Sequence, residues 1–267
     1  MRLVKGLLER CLEVVELLAV DPQWRRLSDI AAALELQKGP AHRLLAEMST
    51  LGWVEQDSAT ERYRLSLKLA LLGQQYLRGT GLIGIVQPVL DEVATRSAEL
   101  VRLTVVQGEE LHWFASSQGA PPGLMYQPSL LGRPVLHTTA NGKVWLSSMS
   151  DEAAIRLALH GGLGEPVAVG RLVGPRALTT VEGLMRELAA IRARGFALSV
   201  EEAEPGVKAI AIVVRGAQGR GIVGTMSVAG PLLRMRPERD AEFHVLLEQA
   251  AGTLGMVWPR DDAPLVP

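Results

Sequence analysis

The chain has 267 residues, of which 48% are hydrophobic and 21% charged, and its formal net charge at pH 7 is −1. This apolar content suits packed cores and excludes a predominantly disordered chain. The near-zero charge excludes a strongly basic nucleic-acid-binding domain, so any DNA affinity has to come from a few locally placed basic groups.

The sequence argues against secretion and against membrane insertion. Cys11 is the only cysteine, so neither an intrachain disulfide nor a cysteine metal site is possible, and a reducing compartment fits. Glu9, Arg10, Glu13 and Glu16 interrupt the apolar N-terminal segment, which therefore matches neither a signal peptide nor a membrane span. We expect a cytoplasmic protein with no membrane partner.

Three helices are predicted in the first 51 residues. The first has one apolar face and ends at Asp21-Pro22. Ser28 is predicted to cap a short second helix over residues 29–34. A turn over 36–39 leads to a third helix over 40–51, with Pro40 at its first position, where a missing N–H costs nothing. Its inward face is predicted from the apolar side chains Leu44, Leu45 and Met48.

Two short strands follow these helices. The segments WVEQ (53–56) and RYRL (62–65) flank a polar loop, which is the pattern of a hairpin. Two helices at a tight turn followed by a hairpin predict a winged helix-turn-helix, whose second helix enters the major groove at its N-terminal turn. The candidate DNA-binding residues on this turn and on the wing are Lys38, Gly39, Ala41, His42, Arg43, Arg62 and Arg64.

A linker separates this module from a second one. Residues 65–76 are apolar almost all round, which predicts a buried or dimer-forming helix, and glycines then loosen the chain from Gly79 onward. We place a DNA-binding domain at residues 1–78, with the linker helix from about 65, a second domain at 79–258 and a tail at 259–267.

The second domain mixes helices with strands. Period-two alternation predicts strands from Leu100 and over 111–115, 196–202, 209–215 and 222–229, with a turn over 216–221. Helices are predicted over 85–98, from Asn141-Gly142 through Met149, over 151–160, over 181–194 between Thr180 and Gly195, and from Pro237 onward. One sheet flanked by helices is expected to form an α/β ligand-sensing domain.

Three segments of the chain resemble the IclR family of bacterial transcriptional regulators. They are HRLL, LGWVEQD and RYRL within 27–73, PVLHTTANGKVWLSSM at 134–149, and RARGFALSVEEAEPGVKAIAIVVRGAQGRGIVGTMSVAGP at 192–231. The resemblance implies an α+β protein of two domains, an N-terminal winged helix-turn-helix and a C-terminal GAF-like α/β effector-binding domain. It also implies a homodimer or homotetramer on double-stranded DNA, at a palindromic operator.

The resemblance places a small-molecule effector near the helix that starts at Asn141. The residues that it implies for this site are the amides of Ala140, Asn141 and Gly142, the hydroxyl of Ser227, and a wall of Ser199, Ala209 and Ala229. Many family members have an acidic residue, a cysteine and a second serine at the three wall positions. We therefore expect an aromatic or otherwise more apolar effector, including carboxylates, whose charge suits backbone N–H groups at a helix N-terminus.

One departure from the family concerns the DNA contact. Gly39-Pro40 stands where members commonly have Ser-Thr, so the operator sequence cannot be carried over from the family. The sequence does not separate repressor from activator, and we take repression as the working expectation.

Two other functions remain open from the residues alone. One is a ligand-sensing, protein-interaction module without direct DNA recognition, and the other is a small-molecule enzyme. The five histidines lack metal-ligand spacing, and there is no G-x-S-x-G elbow. We therefore predict no catalytic residue, no metal and no cofactor.

Overall fold

The computed structural model describes residues 6–128, 133–165, 173–217 and 221–258. The chain divides into two units, Met1–Thr80 and Gly81–Pro267. The tail predicted at 259–267 and residues 218–220 of the predicted turn lie outside the described residues. Within the described residues no helix is long and apolar enough to cross a membrane.

The first unit is a winged helix. Its elements are α1 (Leu7–Val20), α2 (Leu27–Ala33), α3 (Lys38–Thr50), β1 (Val54–Gln56), β2 (Tyr63–Leu65) and α4 (Lys68–Thr80). Strands β1 and β2 are antiparallel, and Arg25 extends this small sheet by two backbone hydrogen bonds to Tyr63. The core between the helices and the hairpin consists of Val14, Leu18, Ile30, Leu44, Leu45, Met48, Val54 and Tyr63. The predicted inward face of the third helix is thus confirmed.

Three details of this unit differ from the sequence predictions. Helix α2 starts at Leu27 without a side-chain cap, so Ser28 lies inside the helix and does not cap it. Helix α3 starts at Lys38, which makes Pro40 its third residue; this position is still among the first N–H groups that a helix leaves unpaired. Helix α4 has no buried residue, so the prediction of a buried linker helix is wrong and the dimer-forming alternative remains.

The second unit contains one five-stranded antiparallel sheet in the order β4-β3-β7-β6-β5. Its strands are β3 (Leu100–Gln107), β4 (Glu110–Gln118), β5 (Ala197–Val200), β6 (Val207–Arg215) and β7 (Ile222–Pro231). Its helices are α5 (Leu82–Ser97), α6 (Ala140–Leu146), α7 (Asp151–His160), α8 (Val181–Arg194) and α9 (Asp240–Val257). The mixed helix and sheet architecture confirms the predicted fold class.

The sheet separates two apolar cores. One face packs on α5 and α9 and includes Val101, Leu103, Met226 and Val228. The other packs on α6, α7 and α8 and includes Ala197 and Ala211. Successive side chains of a strand point to opposite faces. The residues that alternate with Val101, Leu103, Met226 and Val228 therefore point to the α6 side of the sheet.

Helices α7 and α8 match their predicted bounds, because their end signals are local. The side chain of Thr180 accepts a hydrogen bond from Gly183 N at 3.1 Å, and Gly195 adopts φ +87° after the last turn. Helix α6 ends at Leu146 instead of Met149, and the last helix is preceded by a 3₁₀ turn, Pro237–Arg239.

The close approach at Gly142 gives a stability prediction. A Cβ atom at this position would lie 2.4 Å from both the Cα and the carbonyl oxygen of Leu136, and backbone cannot move aside cheaply. We expect Gly142→Ala to destabilise the protein by about 1–3 kcal/mol, measured by urea unfolding.

The matched control is Gly84→Ala in α5, where the new methyl group meets nothing within 4 Å. This variant should be neutral or more stable, because alanine has the higher helix propensity. Equal unfolding midpoints for the two variants would contradict the contact with Leu136.

Candidate functional site

The first turn of α3 presents the predicted DNA-contact residues on one surface. Lys38, Gly39, His42 and Arg43 are exposed, while the opposite side of the helix is buried in the core of the first unit. A Cβ built on Gly39 meets no atom within 4 Å, so its backbone is accessible. This turn has the geometry of a recognition helix with a free N-terminal end.

Ala41 does not belong to this surface and is a correction to the predicted set. Only 1% of the residue is exposed, because it stands three, four and seven positions before the buried Leu44, Leu45 and Met48. That spacing defines one helix face, so the sequence itself contained the signal.

The wing loop is held by Asp57, whose carboxylate accepts hydrogen bonds from the backbone N–H of Thr60 at 3.1 Å and from its hydroxyl. The hydroxyl bond, with the Ala59 and Thr60 amides, lowers the pKa of Asp57. Arg62 follows this loop and is half-buried. Arg64 pairs with Glu55 and lies 4.3 Å from the ring centroid of Trp24, so those contacts already hold its guanidinium.

The second unit has a cleft of about 960 Å³ on the α6 side of β3 and β4, at the upper end of the usual size for small-molecule sites. Its wall comes from the two strands, the segment before α6, the end of α7 and the segment after β5. The apolar part of the wall includes Leu111, Trp113, Pro128, Val135, Leu136 and Leu157. The cleft is therefore large enough for a ligand with an aromatic body.

Arg102 on β3 is the unusual group of this cleft. It is only 6% exposed, and its Cζ lies 3.3 Å from the centroid of the Trp113 ring. Its Nη2 has no hydrogen-bond partner among the described residues. Burial lowers the pKa of Arg102 to about 10, an effect that Tyr126 and Glu204 oppose. Arg102 is thus a desolvated cation with a donor to spare, the arrangement that favours an incoming anion.

A β-bulge brings Trp113 to Arg102. The register of β3 and β4 shifts between Leu103 and Thr104, so Thr104 pairs with Trp113 and Phe114 is skipped. Phe114 packs with the opposite core, while Trp113 takes the cleft face. Bulges commonly redirect a side chain next to a site in this way.

Tyr126, on the segment after β4, and Glu204, on the segment after β5, also line the cleft. The Tyr126 hydroxyl donates to Glu204 Oε1 at 2.8 Å, and burial followed by this carboxylate raises the pKa of Tyr126. The segment that carries Tyr126 is fixed at two carbonyls, by Gln118 Nε2 at 3.0 Å and by Arg234 Nη1 at 2.6 Å. The tyrosine is therefore a neutral phenol in a defined position.

None of the seven predicted effector residues lines this cleft. Three of them, Ala140, Asn141 and Gly142, form the first turn of α6. Helix α6 has only seven residues, and its Gly142 amide donates to Thr139 Oγ1 at 3.1 Å. Asn141 Nδ2 donates to Thr225 Oγ1 at 2.9 Å. These bonds fasten α6 onto the sheet, so Asn141 has a structural role, and buried Ala140 belongs to the core below.

The predicted wall residues lie under α6 instead of beside the cleft. Ser199 pairs with Ala209 and Ala209 with Ala229 across β5, β6 and β7, and α6 packs on these strands. Ser199 Oγ donates to the Thr138 carbonyl at 2.7 Å. Ser227 is buried and is the β7 residue that pairs with Arg102 in the sheet.

A buried ion pair next to the cleft holds the segment of Glu204 in place. Lys143 is 1% exposed, and its Nζ lies 2.6 and 2.7 Å from the two carboxylate oxygens of Glu202. It also reaches Glu187 at 3.5 Å. Burial raises the pKa of Glu202, and Lys143 opposes that shift.

The sequence reasoning missed Arg102, Trp113, Tyr126 and Glu204. One signal was available: Arg102 interrupts an apolar strand between Val101 and Leu103, which is unusual if both faces of the strand are covered. The meeting of Tyr126 and Glu204 had no such signal, because they are 78 positions apart.

A winged helix with an exposed recognition turn, joined in one chain to a second unit that contains a cleft, is the organisation of a two-domain transcriptional regulator. Two family models match the chain, the IclR helix-turn-helix domain over residues 7–58 and the bacterial transcriptional regulator IclR C-terminal domain over residues 74–255. The chain belongs to the IclR family of bacterial transcriptional regulators, as its motifs predicted.

Relatives and solved structures agree with this assignment. The chain is 34% identical over 238 residues to the glycerol operon regulatory protein of Streptomyces griseus, covering 86% of this chain and 87% of the relative. It is 26% identical to the transcriptional repressor IclR of Escherichia coli K12, covering 91% and 86%. An IclR homolog from Microbacterium hydrocarbonoxydans, solved with 4-hydroxybenzoate, superposes with a TM-score of 0.73 at 25% identity, covering 94% and 98%. The protein is a DNA-binding transcriptional regulator.

The Lys143–Glu202 pair gives a second stability prediction. Lys143→Met leaves the largely buried carboxylate of Glu202 without its cation, so we expect a loss of about 2–4 kcal/mol in the free energy of unfolding. Adding Glu202→Gln should recover much of the lost stability. A double-mutant cycle with urea unfolding measures the coupling energy between the two residues.

The exposed pair of Arg156 and Glu109 serves as the control, since breaking a solvated ion pair has little effect. If Lys143→Met lowered the free energy of unfolding no more than Arg156→Met does, the Lys143–Glu202 pair would not stabilise this part of the fold.

Proposed function

We propose that this regulator is a cytoplasmic repressor that binds a palindromic operator as a homodimer and responds to a small aromatic carboxylate. The observation that carries the DNA-binding part is the exposed first turn of α3, where His42 and Arg43 stand opposite a buried face. Repression is supported by a relative that is named a repressor.

The proposed DNA contacts divide into two kinds. His42 and Arg43 read base edges in the major groove, where each base pair has a distinct pattern of donors and acceptors. Lys38, the Gly39 backbone and Arg62 contact phosphates, which position the protein without reading sequence. Arg64 is left out because Glu55 and Trp24 hold it, and Ala41 because it is buried.

The proposed effector site is the cleft of the second unit. Arg102 supplies a positive charge for a carboxylate, and the apolar wall accommodates an aromatic body. A ligand of this chemistry, 4-hydroxybenzoate, is bound by the Microbacterium homolog. Regulation requires that the effector bind two states of the protein with different affinity.

The homodimer is supported by apolar side chains around α4. Leu67, Leu71, Leu72 and Tyr76 are all exposed, Leu71 by 63%, and contiguous exposed apolar groups mark interaction surfaces. A two-fold dimer presents two recognition helices to two half-sites, and this symmetry makes the operator palindromic.

Arg43→Ala tests DNA recognition. We expect operator affinity to fall about 5- to 100-fold, the equivalent of about 1–3 kcal/mol for a lost base contact, while effector binding stays unchanged. The measurement is a mobility-shift titration at fixed salt with the DNA upstream of the regulator's own gene.

Arg186→Ala is the matched control, because it removes the same charge from an exposed position on α8. If both variants lost the same operator affinity, the effect of Arg43→Ala would come from net charge and not from a contact with DNA. No salt-dependent binding by the unmodified protein would favour the protein-interaction module instead.

Leu71→Glu tests the dimer. A carboxylate in an apolar self-contact has to be desolvated, so we expect the dissociation constant of self-association to rise at least about tenfold. Light scattering after gel filtration measures the mass over a concentration series.

Leu159→Glu, at a half-exposed position on α7, is the control and should leave the mass unchanged. A dimer that withstands Leu71→Glu, at concentrations where the wild type begins to dissociate, would place the interface away from α4.

A further inference from the structure

The cleft has donors and acceptors at different places. Arg102 offers N–H donors and a positive charge, and its guanidinium plane is held against the Trp113 ring. Stacking occupies the face of a guanidinium and leaves its edge donors available. The Nη2 atom, which has no hydrogen-bond partner among the described residues, marks the place for an anionic oxygen.

Tyr126 and Glu204 form the acceptor part. The one proton of the Tyr126 hydroxyl is committed to Glu204 Oε1, so the phenol oxygen has only lone pairs to offer a ligand. A carboxylate is an acceptor at both oxygens, and Glu204 Oε2 remains for a second bond. A ligand group at this point has to donate a hydrogen.

The charges around the cleft limit the ligand further. Two other acidic residues of the wall are already paired, Glu109 with Arg156 and Glu110 with Arg133. The second of these pairs also occupies Arg133, so Arg102 is left to bind one carboxylate, and a second carboxylate on the ligand would add negative charge to a cleft that already contains Glu204. Like charges in a partly desolvated site repel strongly.

We propose that the effector is an aromatic monocarboxylate with a hydroxyl or amino group, bound at its carboxylate by Arg102 and at its donor by Tyr126 and Glu204. This inference rests on the proposed effector site and specifies the ligand class that the site selects. Arg102 provides affinity for the acid, and the Tyr126–Glu204 pair provides discrimination between acids.

The test is calorimetry of the full chain with a panel of small acids. The panel contains the three hydroxybenzoates, 4-aminobenzoate, benzoate, 4-methoxybenzoate and terephthalate. At least one hydroxy- or aminobenzoate should bind about tenfold or more tightly than benzoate and 4-methoxybenzoate, which lack the donor. Terephthalate should bind more weakly than benzoate because of its second charge.

Variants separate the two parts of the site. Arg102→Met should weaken every acid about 10- to 100-fold and leave the unliganded protein folded, because methionine removes a buried charge that lacks a full set of partners. Tyr126→Phe should reduce the preference for the donor-bearing acids over benzoate, with little effect on benzoate itself. Glu204→Gln should reduce the same preference and admit terephthalate. Thermal unfolding without ligand checks that each variant is folded.

The outcomes distinguish this inference from the proposed function. If benzoate and 4-methoxybenzoate bind as tightly as every hydroxy- and aminobenzoate, the donor part is overturned while the aromatic-carboxylate effector stands. If no acid of the panel binds, or if Arg102→Met leaves their binding unchanged, the carboxylate assignment of the cleft is overturned as well. The operator titration does not depend on either result.

Discussion

The alternation of side chains along β3 and β7 is the constraint on which the second unit depends. Val101 and Leu103 of β3 and Met226 and Val228 of β7 enter the apolar core under α5 and α9, so the residues that alternate with them face α6 and the cleft. On β3 that intervening set includes Arg102 and Thr104, and on β7 Thr225 and Ser227. The same periodicity that builds the core therefore creates a polar strip on its reverse side.

That strip is used in two ways, depending on what covers it. Under α6 it forms a closed network, in which Thr104 and Thr225 share a hydrogen bond at 2.6 Å and Asn141 donates to Thr225. Towards β4, Arg102 Nη2 has no hydrogen-bond partner among the described residues, and the bulge places the Trp113 ring against its guanidinium. A satisfied buried network stabilises a fold, whereas an incompletely satisfied buried cation is costly and marks a place for ligand chemistry.

The sequence predicted elements well where their signals are local. Thr180 and Gly195 delimit α8 because a cap and a left-handed glycine act within one turn, and Leu44, Leu45 and Met48 show the buried face of α3. The family motifs identified the class of protein. The site was less predictable, because the function of Asn141 depends on Thr225, a residue 84 positions away. Its neighbour Gly142 likewise depends on a contact outside its own helix, because a Cβ there would clash with the backbone of Leu136.

The near-neutral net charge is compatible with DNA binding because the basic residues are placed locally. Residues 1–78 carry 11 basic and 10 acidic side chains, yet His42 and Arg43 stand together on one exposed turn. Affinity from phosphate contacts depends on the number of cations at the interface, not on the charge of the whole domain.

The geometry of the cleft also supplies a physical basis for regulation. Arg102 lies on β3, Tyr126 on the segment after β4, and Glu204 on the segment after β5. In the proposed complex one ligand bridges all three, so its affinity is highest in the state where these segments meet. A state in which they separate keeps only part of the contacts and binds more weakly. This difference in affinity is what allows a ligand to shift a conformational equilibrium, since a ligand that binds both states equally shifts nothing.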